Sequence, residues 1–276
     1  MKITLAKHSG FCFGVKRALG IALETAGRTN KAYIKGDLVH NNEVSRMIEK
    51  KGIKKIHSLK EVPQGSILII KAHGEPLRTY KECARRKLKI IDATCPMVKE
   101  IHRKAQDLEQ KGYQVVIIGD RTHKETTAIK GNIKNGLVIE KPGEVAACSD
   151  KLSKKIGVVC QSTQNRENVS RIVYALSKYA QELLFLNTIC QPTRLRQLEI
   201  EHLAGTCKAT LIVGAKHSAN TKRLYQVAKK VNRNTFWIDS PDKIKSSLRN
   251  RFSSLGIIGG ASTPQETLEE VYRRLR

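Results

Sequence analysis

The sequence predicts an α/β protein of three similar lobes with mainly parallel sheets in a pseudo-threefold arrangement. Three observations lead there. Short, continuous runs rich in Ile, Val and Leu alternate with helical patterns along the chain, which suits parallel strands covered on both faces. One block recurs three times: Cys12, Cys95 and Cys190 each end an apolar stretch and begin a helix-like one, in MKITLAKHSGFC, LKIIDATCP and LLFLNTICQP. A second apolar strand then ends in a polar turn carrying His40, His123 or His217, 27 or 28 residues after the cysteine. Self-similarity at a fixed period is the mark of repeated structural units.

Taken in order, the first lobe is expected over residues 1–94. Its strand candidates are Ile3–Ala6, Lys31–Lys35, Ile67–Ala72 and Lys89–Asp92, with a helical pattern in VKRALGIALETA after Cys12. The second lobe, 95–189, has candidates at Val115–Gly119, Ile156–Cys160 and Leu184–Asn187 and a helical run, MVKEIHRKAQDLEQK, after Cys95. The third, 190–276, has Thr210–Val213, Phe236–Ile238 and Leu255–Ile258. Pro96 follows Cys95 directly and Pro192 stands two after Cys190. Proline favours the first turn of a helix, so these cysteines are expected at helix N-termini, where free N–H groups and the dipole favour thiolates. In parallel sheets ligands bind beyond the carboxyl ends of the strands, which is where the cysteines and the polar turns fall.

The 276 residues, 40% hydrophobic, are ample for a globular core. Neither a signal-peptide pattern nor an apolar run long enough to span a bilayer is present, so a cytoplasmic protein without a membrane partner is expected. Seven cysteines, an odd count without a secretion signal, argue against a disulfide framework. Cys83, Cys148, Cys160 and Cys207 lie off the repeat and read as packing or surface thiols. The net charge of +26 favours anionic ligands and acidic partners. Its lysines are scattered over the whole chain, with no nucleic-acid motif.

Three cysteines at long spacing without a CxxC pair do not match a zinc ribbon or finger. Three thiolates from three lobes suit an iron–sulfur cluster at the centre. A [4Fe–4S] cube held by three cysteines has one open iron, where a substrate oxygen can bind.

HSGFCFGVKRA, LVHNNEV, KAHGEP, DATCPMVKEIH, TICQPTRLRQ, KHSANTKRL and GGASTP recur in this order over essentially the whole chain. Together they resemble the LytB (IspH) family of 4-hydroxy-3-methylbut-2-enyl diphosphate reductases, enzymes of the non-mevalonate isoprenoid pathway. The resemblance implies a single [4Fe–4S] cluster held by Cys12, Cys95 and Cys190, and reductive removal of an allylic hydroxyl to give isopentenyl and dimethylallyl diphosphate. It implies Glu125 as proton donor. It implies a diphosphate pocket drawn from His40, His73, His123, Ser162, Thr163, Thr193, Ser218, Asn220 and Ser262, with Asn41, Arg196 and Gln197 as supports. Its implied partners are the small anionic substrate and a transient electron donor of the ferredoxin or flavodoxin type, with no specific nucleic acid. Five positions depart from the family pattern: Lys124 stands for a proline, Ser162 for a threonine, Ala219 for a serine, and Gln191-Pro192 for Asn-Ala.

Two other readings compete. A quinolinate-synthase-like enzyme would share the three lobes and the open iron but would carry carboxylate-binding motifs in place of the His-x-Glu and Ser-x-Asn turns. A basic nucleic-acid-binding or regulatory protein with a structural cluster rests on the charge alone.

Overall fold

The computed structural model describes residues 1–244, 248 and 251–276. Among the described residues, twelve strands form three four-stranded sheets, parallel throughout. In chain order they are β1 (Lys2–Leu5), β2 (Ala32–Lys35), β3 (Lys54–Ile56), β4 (Ile67–Ile70), β5 (Lys89–Asp92), β6 (Gln114–Ile118), β7 (Gly136–Ile139), β8 (Lys155–Cys160), β9 (Glu182–Phe185), β10 (Ala209–Val213), β11 (Thr235–Ile238) and β12 (Ser254–Gly259). The helices used below are α1 (Phe13–Arg28), α2 (Asn42–Lys50), α3 (Leu77–Arg85), α4 (Pro96–Gln110), α5 (Lys124–Lys130), α6 (Gly143–Ala147), α7 (Arg166–Ser177), α8 (Gln191–Thr206), α9 (Ala219–Val231) and α10 (Gln265–Leu275).

The sheet orders are β3-β2-β4-β5, β7-β6-β8-β9 and β11-β10-β12-β1. Each follows one plan: second, first, third, fourth. The last sheet obtains its fourth strand from the start of the chain, since Lys2–Leu5 pairs in register with Ser254–Ile257. The expected boundaries at 94/95 and 189/190 therefore differ from the structure at the N-terminus. A cysteine closes each sheet, and for the third sheet that cysteine is Cys12. The chain divides into two compact units, one of residues 1–16, 40–43 and 190–276 and the other of 17–39 and 44–189.

Strands β3 and β7 are additional to the ten expected. Each is short and lies at a sheet edge, and β3 exposes two of its three residues. Its sequence KKI carries one apolar residue, so hydrophobic pattern could not reveal it. The central strands are buried throughout: Val115 to Ile118 are fully enclosed, as are Leu211 to Val213 and Ile257 and Ile258. On one face of the β6–β9 sheet, Val116, Ile118, Ile156 and Val158 pack with Val169, Ile172 and Leu176 of α7. On its other face, Val115, Ile117 and Val159 meet Ile101, Ala105 and Leu108 of α4. Gly157 permits that approach, because a Cβ there would lie 2.8 Å from Leu108 Cδ2. No helix among the described residues is long and apolar enough to cross a membrane.

Candidate active site

The polar turns lie where the strand order reverses. In each sheet the first and third strands are neighbours, and their outgoing connections diverge at the crevice that binds ligands in open parallel sheets. His40 follows β2 and His73 follows β4. His123 follows β6, with Ser162 and Thr163 after β8. Ser218 follows β10 and Ser262 follows β12.

In the unit that holds the β10–β12 and β1 sheet, Ser218 is the N-cap of α9 and its Oγ accepts from Thr221 N. Asn220 is 4% exposed, and neither Nδ2 nor Oδ1 has a hydrogen-bond partner among the described residues. A buried amide left open costs stability unless a ligand satisfies it. Gly260 lets the chain pass Thr221, whose Oγ1 would lie 2.2 Å from an added Cβ. Ser262 Oγ donates to His40 O at 3.0 Å, and Asn41 Nδ2 returns a bond to Ser262 O at 2.5 Å. The same asparagine's Oδ1 accepts from Glu43 N in the first turn of α2. His40 and His217 meet edge to face at 5.6 Å.

Two cysteines of the repeat lie in this unit. Cys12 N donates to Ala261 O at 3.0 Å, and Cys12 O receives Lys16 N from the first turn of α1. Cys190 is the N-cap of α8, followed by Pro192, and its Sγ donates to Thr193 Oγ1 at 3.1 Å. Arg196, 4% exposed, donates to Pro192 O and Gly10 O.

In the other unit, Cys95 is the N-cap of α4, with Pro96 in its first turn. Its N–H donates to Ala72 O at the end of β4. His73 and His123 meet edge to face at 5.5 Å. His123 caps α5, with Nδ1 accepting from Glu125 N at 3.3 Å. Lys124, the first residue of the helix, is exposed.

Glu125 is only 2% exposed. Ser162 binds both of its oxygens, N to Oε1 at 2.5 Å and Oγ to Oε2 at 2.8 Å. Burial pushes its carboxyl up to about 7, although the two Ser162 bonds pull the other way. No cation is among the causes. Desolvation therefore governs, and the acid titrates near neutrality. The serine at 162 supplies the hydroxyl that a threonine would.

Gln161 was not singled out in the sequence. It is fully buried, accepts from Asp120 N and Thr126 Oγ1, and donates to Thr163 Oγ1 at 2.8 Å. It thus ties the turns after β6 and β8 together around Glu125. An amide directly after five apolar strand residues was the available signal. Glu75 is a second omission. Burial raises its carboxyl, but Lys71 and Lys35, with Thr79, more than offset this and hold it below the usual range. Lys71 and Glu75 form a buried ion pair at the His73 turn.

A family model described as LytB protein matches residues 3–276. The chain belongs to the LytB family. Among curated LytB relatives, 4-hydroxy-3-methylbut-2-enyl diphosphate reductase of Geobacter metallireducens is 37% identical over all of this chain and 97% of its own. The enzyme of the same name from Aquifex aeolicus is 33% identical over 99% of this chain and 96% of its own. A solved structure of (E)-4-hydroxy-3-methyl-but-2-enyl diphosphate reductase, the terminal enzyme of the non-mevalonate pathway, is 34% identical with a TM-score of 0.72, covering 100% of this chain and 99% of that one. The E-1-hydroxy-2-methyl-but-2-enyl-4-diphosphate reductase from Plasmodium falciparum is 27% identical with a TM-score of 0.93, covering 99% and 87%.

Proposed function

We propose that the chain is a 4-hydroxy-3-methylbut-2-enyl diphosphate reductase, an oxidoreductase of the non-mevalonate route to isoprenoids. The observation that carries the reading is Glu125, a buried carboxyl held up to about 7 and gripped at both oxygens by Ser162. A carboxyl with that affinity is about half protonated at neutral pH and can give its proton to a departing oxygen. Removing the allylic hydroxyl consumes two electrons and two protons. The C–O bond breaks, water leaves, and the carbon skeleton takes up the second proton to give isopentenyl or dimethylallyl diphosphate.

Glu125 is assigned the proton, Ser162 the task of aiming it, and Gln161 that of fixing both turns. The diphosphate is assigned to His40, His73, Thr163, Thr193, Ser218, Asn220 and Ser262, with His123 beside the acid. Support comes from Asn220, whose two open amide atoms are buried in the N-terminal turn of α9, where N–H groups and the dipole favour anions.

The donor set fits an iron–sulfur cluster. Cys12, Cys95 and Cys190 each follow the fourth strand of a sheet and precede a helix, and neither Cys95 nor Cys190 spends its side chain on capping. These three would hold one [4Fe–4S] cluster with one iron free of protein ligands. When bound, the cluster supplies electrons and a Lewis-acidic iron for the substrate oxygen. A ferredoxin- or flavodoxin-type protein would be the donor, its acidic surface drawn by the +26 charge.

The test is anaerobic purification with iron and sulfide quantification, followed by turnover of the hydroxy-diphosphate with a strong one-electron donor. A brown protein producing both isoprenoid diphosphates is expected. A colourless zinc protein, or a loaded one without turnover, would overturn the reading.

A further inference from the structure

Helix α8 does more than carry Cys190. Six and nine residues on from that cysteine, Arg196 and Glu199 point their side chains at the loop that carries Cys12. Glu199 takes the start of the loop, accepting Lys7 N at 2.6 Å and His8 N at 2.8 Å through its two oxygens. Arg196 takes the middle, donating from Nη2 to Gly10 O at 2.8 Å, while Nη1 holds Pro192 O in the first turn of its own helix at 3.2 Å. Gly10 meets this grip with φ at +79°, and a Cβ there would crowd Gln265 Oε1 at 3.0 Å. The end of the loop is fixed by Cys12 N on Ala261 O. Thus the Cys12 loop is fastened at both ends and in the middle, twice by α8.

The guanidinium is in an unusual position. Arginine is almost never buried without a counter-charge, yet Arg196 is 4% exposed and its two bonds go to neutral carbonyls. Beside its burial, which opposes the charge, the groups acting on it electrostatically are Cys12 and Cys190 first, and Glu199 after them. Glu199 is already occupied by two backbone N–H groups. In addition, the buried Nε–H of Arg196 has no hydrogen-bond partner among the described residues. A buried charge with an open donor is costly, and an anionic group beside it would offset that cost.

Building on the cluster reading above, we infer that Arg196 is a positioning residue for the iron–sulfur centre: it sets the Cys12 loop against the Cys190 helix and supplies the buried positive charge that balances the thiolate-ligated cluster. A nearby fixed positive charge stabilises the more negative, reduced state of a cluster, so it raises the reduction potential. Lysine would retain the charge but lose the fork that spans Gly10 and Pro192. Gln or Met would lose the charge.

The experiment compares anaerobically reconstituted wild type with Arg196→Lys, Arg196→Gln and Arg196→Met. Iron content, thermal melting, the spectrum of the reduced cluster by electron paramagnetic resonance, and the midpoint potential are measured for each. At a fixed applied potential, the charge-removing variants should show a roughly tenfold lower ratio of reduced to oxidised cluster, about a 59 mV fall for one electron. Arg196→Lys should recover most of that shift while still releasing iron faster than wild type. Arg196→Met guards against a Gln variant that fails to fold, because an apolar chain suits the buried slot. A folded Met or Gln variant that takes up no cluster while the Lys variant does would also support the assignment. Unchanged potentials across all folded variants, with only melting affected, would reduce Arg196 to a structural tie and overturn the inference. A wild-type protein that takes up no iron or sulfide would instead overturn the functional reading beneath it.

Discussion

Replacing Glu125 by glutamine tests the site where the argument is most exposed. The native carboxyl is raised from 4.5 to about 7 by burial. At 1.36 kcal/mol per pH unit, a shift of this size corresponds to about 3 kcal/mol. The sign follows from proton linkage. Because the folded-state value lies above the unfolded one, the stabilising contribution is fully present below about pH 4.5 and is lost as pH rises through about 7. Above that point the native state carries a buried carboxylate without a cation. Glutamine keeps the shape, still accepts from Ser162 N, and offers its NH2 to Ser162 Oγ. It does not titrate. Urea melts of cluster-free wild type and Glu125→Gln, taken between about pH 4 and 8, isolate this group because other titrations cancel in the difference. Wild-type stability relative to the variant should fall by about 3 kcal/mol across that range. In the loaded enzyme, wild-type kcat should decline as pH rises past about 7, and the variant should retain its iron and lose turnover. A flat stability difference would refute the buried acid. Normal turnover by the variant would refute its role as proton donor.

Three further substitutions probe the frame around it. Asn220→Ala removes an amide that bonds nothing in the free protein, so stability should move by less than about 1 kcal/mol while KM for the diphosphate rises about 10- to 100-fold, read by steady-state kinetics beside a urea melt. Gly260→Ala drives a Cβ to 2.2 Å from Thr221 Oγ1 and should cost about 1–3 kcal/mol; adding Thr221→Ala should restore much of it, and an additive double mutant would contradict the contact. Thr188 Oγ1 accepts from Cys160 N and donates to Cys160 O, both at 2.7 Å, so Thr188→Val strands two buried backbone groups and should lower stability by about 2–4 kcal/mol in a denaturant melt.

Much of the fold was legible because its strands announce themselves. The run VVII at 115–118 has no polar residue and is completely buried. The strands that escaped notice lie at sheet edges and are short: β3 has a single apolar residue, and β7 only the three of Leu137 to Ile139. The placement of Lys2–Leu5 escaped for another reason. Its pattern identifies a strand, but nothing local to four residues states that the partner is Ser254–Ile257. Pairing at that sequence distance is decided by the topology of the whole sheet, which wants a fourth strand beside β12 as it does beside β4 and β8.

The candidate site divides along the same line. The cysteines and three of the histidines could be named from the sequence because they recur at matched positions, and Glu125 because its motif resembles the family's. What makes them usable comes from residues that do not recur. Glu125 would be an ordinary exposed glutamate without the Ser162 turn, which arrives from 37 residues away with both a backbone N–H and a hydroxyl. Gln161 locks that turn to the one carrying His123, and no third-lobe residue repeats it. Arg196 and Glu199 were visible as charges on a helix, where the usual expectation is a solvated face, yet one is buried and the other is spent on two backbone N–H groups. The repeat therefore explains where three thiols and three polar turns stand in the chain. The residues that break the repeat explain why one turn holds a carboxyl that titrates near neutral pH, why another leaves an amide open for an anion, and why the Cys190 helix carries a buried arginine.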